Sequence, residues 1–156
     1  MKKYNIILII FFTLFFYKNS IAADNLKGIN SLFIGSEDVA GAKNNCNLSK
    51  DKILRSVKYL ISEAKIPTTD SFVSNEVLYI QPIVVKVKNI CAGMITFQTF
   101  SIAEVANSGG NIDYMQVLSY NETQLVTEEP GKFSDFYLET LEEMTTEFIN
   151  EWKKVN

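Results

Sequence analysis

The middle of the chain has the alternating pattern of a β-sheet. Between residues 77 and 88, β-branched and aromatic residues fall on two opposite faces, which predicts a strand. Residues 91–105 and 114–126 have a similar composition and are separated by the segment 107–111, whose two glycines favour a hairpin turn. We therefore expect three consecutive antiparallel strands.

Two other segments have the three- and four-residue spacing of amphipathic helices. The first follows Asn47 and Ser49, either of which can cap it, and Pro67 is expected to end it. Its apolar positions are Ile53, Leu54, Val57, Leu60, Ile61 and Ala64. The second is predicted to begin at Ser134 as its cap. Its apolar stripe consists of Tyr137, Leu141, Met144, Phe148, Trp152 and Val155.

A short apolar segment at 29–34 predicts one more strand, which Gly35 is expected to end. Pro82 cannot donate a hydrogen bond to a neighbouring strand, so it favours an edge position or a bulge. The element order is β-α-β-β-β-α. Placing both helices on one face of a single sheet buries all the apolar stripes, so the predicted fold class is α+β, a two-layer sandwich with a mainly antiparallel sheet.

The amino terminus has the features of a secretory signal peptide. Lys2 and Lys3 precede the run 6–16, which is apolar apart from Thr13. This run is too short for a membrane span, which needs roughly 20 apolar residues. Cleavage is the favoured interpretation, and an uncleaved amino-terminal anchor is the alternative.

The small residues Ser20 and Ala22 fit the positions before a cleavage site, which would separate Ala22 from Ala23. The predicted organisation is a signal peptide at 1–22 and a single exported α+β domain at 23–156. We expect the domain to be periplasmic or secreted, without stable membrane insertion after cleavage, because no second apolar run of spanning length follows.

The chain has two cysteines, Cys46 and Cys91, and export favours a disulfide between them. The alternative is a pair of free, buried thiols. Neither cysteine belongs to a Cys-x-x-Cys motif, so redox catalysis is not indicated.

All 18 acidic residues follow the signal peptide, together with 12 of the 15 basic residues, which gives the predicted domain a net charge of −6. This charge argues against nucleic acid as a partner. Basic residues cluster on the first helix at Lys50, Lys52, Arg55, Lys58 and Lys65, and acidic residues on the last at Glu139, Glu142, Glu143, Glu147 and Glu151. Both sets can be solvated helix faces. Alternatively, the helices attract each other, or the acidic face meets a basic partner.

No catalytic, metal-binding or cofactor-binding residues are predicted. The sequence contains no histidine, which removes the commonest general base and metal ligand. Two cysteines cannot form a four-sulfur zinc site, and no phosphate-binding loop is present. Adjacent acids at 37–38 and 128–129 could serve a hydrolase, but such pairs in loops are usually solvated. We therefore predict that the protein is not an enzyme.

The sequence favours a non-enzymatic module that binds another envelope protein through an exposed sheet face or an edge strand. Its oligomeric state cannot be derived from the sequence. The alternative is a small-molecule or lipid carrier with an aromatic-lined pocket between the sheet and the helices. Residues that could line such a pocket are Phe72, Tyr79, Phe97, Phe100, Tyr114 and Tyr120.

Overall fold

A computed structural model describes residues 25–39, 46–72 and 76–156. The predicted signal peptide and its cleavage site at Ala22 and Ala23 lie outside the described residues. Everything stated below about the structure concerns the described ranges.

Five strands form one sheet, and two helices cover one of its faces, as expected for the α+β class. The strands are β1 (Leu32–Ser36), β2 (Thr68–Thr69), β3 (Glu76–Val87), β4 (Ile90–Ala106) and β5 (Ile112–Glu128). Their order across the sheet is β2-β1-β3-β4-β5. The long pairs β3–β4 and β4–β5 are antiparallel, whereas β1 is parallel to both of its neighbours. The predicted class and element order are confirmed, with the two-residue β2 as an addition.

The first helix, α1, extends over Lys50–Glu63 between β1 and β2. Its cap is Ser49, whose side-chain oxygen accepts a hydrogen bond from the backbone N–H of Lys52 at 3.3 Å. Ile53, Val57 and Ile61 are fully buried against the sheet. The helix ends at Glu63, before Pro67.

The second helix, α2, extends over Pro130–Val155, so the prediction that it begins at Ser134 is wrong. Pro130 occupies the first helical turn, where its missing N–H is not needed and its fixed φ suits the helix. Ser134 is instead a buried residue inside the helix, and its hydroxyl accepts a hydrogen bond from Lys52 Nζ at 3.1 Å. This contact joins the two helices.

Strand β1 continues through Gly35 to Ser36, contrary to the prediction that Gly35 ends it. A side chain at Gly35 would lie 3.2 Å from the Phe33 ring and 3.4 Å from that of Tyr79, so the glycine lets these rings approach. Pro82 lies in the central strand β3, two residues beyond the Ile80 position where pairing with β1 stops. The proline is therefore locally at an edge, and the lack of an N–H costs no ladder hydrogen bond.

The core lies between the sheet and the helices. Along β4 every second residue from Cys91 to Thr99 is buried. The smallest of these is Gly93, where an added Cβ would lie only 2.7 Å from the Phe133 ring and 3.1 Å from that of Tyr137. Helix α2 thus packs directly on the backbone of β4 at this glycine.

Cys46 and Cys91 form a disulfide with a Cα–Cα distance of 6.0 Å. Both residues are buried in the core. The bond connects the segment that leads into α1 with the start of β4, and so links the helical layer to the sheet.

Candidate interaction surface

The side of the sheet opposite the helices, here called the outer face, has an aromatic cluster at one end. The rings of Phe33 and Phe72 meet edge to face at 5.6 Å between centroids, and those of Tyr79 and Phe100 at 6.2 Å. Phe100 and its cross-strand partner Val77 are buried, although neither α1 nor α2 lies on this side of the sheet. Phe72 remains 47% exposed at the rim of this cluster.

The other end of the outer face exposes a second apolar group. Ile83 on β3 pairs with Met94 on β4, which pairs with Leu125 on β5. Leu125 is 79% exposed, and Ile83 and Val85 are also exposed. A polar row of Gln81, Thr96 and Thr123 separates this group from the aromatic cluster.

The β4–β5 hairpin extends beyond the core as an arm, defined here as residues 101–118. Of the side chains described in it, none is buried. Strand β4, with 17 residues, is about 56 Å long, whereas α2, with 26 residues, is about 39 Å long, so the helix cannot cover the whole hairpin. Apolar side chains exposed on the arm are Ile102, Ile112, Tyr114, Met115, Val117 and Leu118.

The end of the arm is a tightly hydrogen-bonded turn. Asn107 Oδ1 accepts from the backbone N–H groups of Gly109 and Asn111, each at 3.0 Å. Gly110 has a φ of +78°, a conformation that glycine adopts without steric cost. Asn107 Nδ2 also donates to Asp113 Oδ2 at 3.0 Å. The two strands are therefore held together at their tip.

An open groove with a volume of about 1060 Å³ lies where the arm joins the core. Residues from the amino-terminal segment line one side, and residues from the arm line the other. They include Lys27, Asn30, Phe72, Glu76, Ile102, Tyr114 and Leu118. Ser119, the extra residue at the β5 bulge, donates a hydrogen bond to the Glu76 carboxylate. Partial burial raises the pKa of Glu76, and the Ser119 hydrogen bond offsets part of this effect.

Strand β5 forms one edge of the sheet and has a partner strand on only one side in the part of the chain that the structure describes. Its 17 residues contain no lysine, arginine or proline, the residues that commonly protect an edge from further pairing. Its charged residues are all acidic: Asp113, Glu122 and Glu128.

The six aromatic residues considered for a carrier pocket lie in different environments. Phe97 and Tyr120 are buried against Phe148 in the core, with centroid distances of 5.7 and 5.5 Å. Phe72, Tyr79 and Phe100 belong to the outer face, and Tyr114 to the arm. The structure does not bring them together between the sheet and the helices. Only Phe72 and Tyr114 line the groove.

The two pairs of adjacent acids lie in different places, one after β1 and the other at the junction of β5 and α2. Glu37 accepts from Gln81 Nε2 at 3.3 Å, and Asp38 forms an ion pair with Lys50 at 3.5 Å. Glu128 accepts from the backbone N–H of Glu129 at 2.9 Å, between β5 and α2. Each pair is held by local contacts at the surface, which fits the solvated interpretation.

The oppositely charged helices pack side by side, one of the arrangements considered from the sequence. Ser56 on α1 donates to Glu142 on α2 at 3.0 Å. Lys52 Nζ is directed to the carbonyl of Asn47 and to Ser134 rather than to a carboxylate of α2. Hydrogen bonds and apolar packing therefore account for these helix contacts.

The described ranges contain neither a metal cluster nor a membrane-spanning helix. No group of three or more Cys, Asp or Glu side chains is placed to hold a metal ion in residues 25–39, 46–72 and 76–156. No helix within the same ranges is both long and apolar enough to cross a membrane.

No protein-family model matches the chain, and no curated protein matches it. Among solved structures, the rare lipoprotein B from Shewanella oneidensis is similar at 11% sequence identity and a TM-score of 0.27, over 80% of this chain and 92% of that chain. Similarity at this level supports no statement about the present fold or function.

The arm is the feature that the sequence pattern alone did not predict. The alternation of its strands was visible, but alternation does not show where the cover of a helix ends. A comparison of strand length with helix length is the signal in the sequence that could have revealed it.

Proposed function

We propose that this protein is exported to the periplasm or outside the cell, and that it acts there without catalysis by binding another envelope protein through the arm and the outer face. The exposed apolar residues of the arm are the observation that carries this proposal. A two-stranded ribbon without a core is marginally stable by itself, and contiguous exposed apolar surface is typical of binding sites.

Export is supported by the signal-like amino terminus and by the buried Cys46–Cys91 disulfide. Intact mass of the protein from its native envelope tests it. We expect a mature chain that begins at Ala23 and whose thiols are alkylated only after reduction. A full-length mass with freely reactive thiols would contradict export.

Binding through the arm is tested by replacing Ile102, Met115 and Leu118 together with threonine. These side chains are exposed, so the free energy of unfolding should change by less than about 1 kcal/mol while binding to the envelope partner is lost. The matched control replaces the exposed Tyr59 and Phe136, which lie on the two helices and not on the arm or the outer face, with alanine. Equal recovery of the partner by both variants and the parent protein would overturn the role of the arm.

The groove beside the arm favours a second candidate, a small-molecule or lipid carrier. The groove is open and lined by both apolar and charged groups, so its ligand would be amphipathic. A ligand that binds only the folded protein raises its melting temperature. A flat melting temperature across a panel of metabolites and lipids would eliminate this candidate.

A further inference from the structure

We infer that the envelope protein bound by this chain is a second copy of the same chain. The two copies pack outer face on outer face in antiparallel directions, so that the arm of each lies on the core of the other. The inference rests on the proposed function, because it names the protein that the arm and the outer face bind. Most soluble oligomers are symmetric assemblies of identical chains, and two-fold dimers are the commonest of them.

The outer face is almost free of charge. By alternation, it consists of the odd-numbered residues of β3, the even-numbered residues of β4 and the β5 residues that pair with these β4 residues. In these strands Glu104, on the arm, is the one charged residue of the face. Glu37 lies at the rim, where it accepts a hydrogen bond from Gln81. Such a face offers few charges that would select an acidic or basic partner, and few that would repel a copy of itself.

Most of the large apolar side chains that the described residues expose lie on this face. Nine of the fourteen belong to it: Ile83, Val85, Val87, Ile90, Ile102, Ile112, Tyr114, Leu118 and Leu125. The two helices together contribute only Tyr59 and Phe136. Interfaces of homodimers are more apolar than those of non-obligate complexes. The outer face, and not the helical layer, therefore has the composition of a dimer interface.

The area of the outer face is sufficient for a stable dimer. Strands β3, β4 and β5 have 12, 17 and 17 residues. At about 3.4 Å per residue and about 4.8 Å per strand, they cover roughly 750 Å². Two such faces together provide roughly 1,500 Å², whereas a specific interface needs at least about 1,000 Å².

Antiparallel packing brings unlike parts of the two faces together. Gln98 is the middle outer-face residue of β4, and a two-fold axis there places Ile102 of one copy opposite Met94 of the other. The arm then covers the second apolar group of the other copy, in which Leu125 is 79% exposed. The Glu104 residues of the two copies are about 40 Å apart in this arrangement, so they do not face each other.

The remaining charge of the protein lies away from this interface. The helices cover the opposite face of each sheet, so the acidic α2 helices of the two copies would be separated by roughly 30 Å. Exposed charges at this distance are largely screened, because the Debye length is about 8 Å at physiological ionic strength. The net negative charge of each copy therefore does not prevent the packing.

Analytical ultracentrifugation of the exported protein over about a hundredfold range of concentration tests the inference. We expect a reversible equilibrium between monomer and dimer. Leu125→Lys should leave the monomer folded, because the side chain is exposed, and should weaken the dimer about a hundredfold. The reason is that each dimer would bury two uncompensated charges, each costing about tenfold.

Tyr59→Lys is the matched control, because it adds the same charge at an exposed position on α1. It should change the dissociation constant of the dimer less than about twofold. A parent protein that stays monomeric throughout, or equal weakening by the two variants, would overturn the inference.

A mixing experiment tests the antiparallel arrangement. The two-fold axis places Gln116, which pairs with Ile102, opposite Leu125 of the other copy, which pairs with Met94. Gln116→Glu should weaken the dimer when it is the sole species. Mixed with Leu125→Lys copies, it should form heterodimers, since one contact becomes a Glu–Lys pair and the other is unchanged. A mixture of Gln116→Glu with Tyr59→Lys copies is the control, and an equal yield of heterodimers in both mixtures would overturn the inference.

Two further outcomes separate this inference from the proposed function. If the chain stays monomeric while the arm variants lose a different envelope protein, the inference is wrong and the proposed function stands. If the dimer forms as described but the protein from native cells has its full-length mass and free thiols, export is wrong while the packing of the two copies stands.

Discussion

Single residues decide how closely the two layers can approach. Replacing Gly93 by alanine would place a methyl group against the rings of Phe133 and Tyr137, both fully buried. Overpacking of this kind costs about 1–3 kcal/mol. We expect the free energy of unfolding, measured with urea, to fall by that amount.

Gly131 is the matched control for this substitution. It lies in the first turn of α2, and a Cβ there would have no atom within 4 Å. Gly131→Ala should leave stability unchanged or increase it slightly, since alanine favours the helix. A Gly93→Ala protein as stable as the parent would show that α2 does not pack on the β4 backbone as described.

Glu76 should make stability depend on pH. Burial raises its pKa in the folded protein above the ordinary value of 4.5, so its contribution favours folding at low pH and is lost as pH rises through the raised pKa. Glu76→Gln keeps an acceptor for Ser119 and removes the ionisation. We expect this variant to be more stable than the parent at pH 7.

The pH dependence itself is the measurement that checks this assignment. Urea unfolding from pH 4 to pH 8 should show that the advantage of the Glu76→Gln protein grows with pH. An advantage that stays constant would indicate a packing effect and contradict the role of the raised pKa.

Sequence patterns indicated most residue roles, and the exceptions have local causes. Ser49, one of the two expected candidates, caps α1. The backbone N–H of Lys52 lies in the first turn and has no partner within the helix, so the Ser49 side chain accepts its hydrogen bond. Ser134 does not cap α2, because the helix already begins at Pro130, whose fixed φ suits the first helical turn. A prediction from capping residues alone does not take such a proline into account. Pro82 could be placed only with knowledge of where β1 ends.

At the scale of elements, the arm is the part of the β4–β5 hairpin that extends beyond the core. Its strands are paired with each other, and no described side chain in it is buried. Local opening is easiest where few buried apolar contacts oppose it. Amide hydrogens in 101–118 should therefore exchange faster than those in 91–99.

Hydrogen exchange followed by mass spectrometry checks this difference in the free protein. Protection of the arm should increase when the envelope partner binds. If the free arm is as protected as the central part of β4, another element stabilises it, and its apolar residues are not available for binding.

Element types could be predicted from the sequence because the periods of the strands and helices differ clearly. The exposure of the arm could not, because alternation shows which residues share a face and not whether anything covers that face. Ile95 and Ala103 both lie on the helix side of β4 by alternation, yet only Ile95 is buried. The difference arises from the reach of α2.

At the scale of the whole molecule, the disulfide connects the two layers. Cys46 and Cys91 are 45 positions apart, and closing a loop of that length stabilises a protein by about 4 kcal/mol in the chain-entropy estimate. Replacing both cysteines by alanine should lower the free energy of unfolding by about that amount or less. Reduction of the parent protein should have a similar effect, and unchanged stability after either treatment would contradict the structural role of the bond.

The overall fold followed from a simple physical requirement, which is that two amphipathic helices and a mostly amphipathic sheet bury their apolar sides together. The partner could not be derived in this way. Exposed surfaces such as the arm and the β5 edge do not stabilise the isolated chain, so folding rules place no constraint on what they bind.

Photo-crosslinking in the native cell can show whether the arm contacts an envelope protein. A photoreactive amino acid replaces Tyr114 on the arm or, as the control, Tyr59 on α1, which is similarly exposed at 63% against 71%. We predict a discrete crosslinked envelope protein from position 114 and none from position 59. No crosslink from position 114, or the same products from both positions, would contradict an interaction surface on the arm.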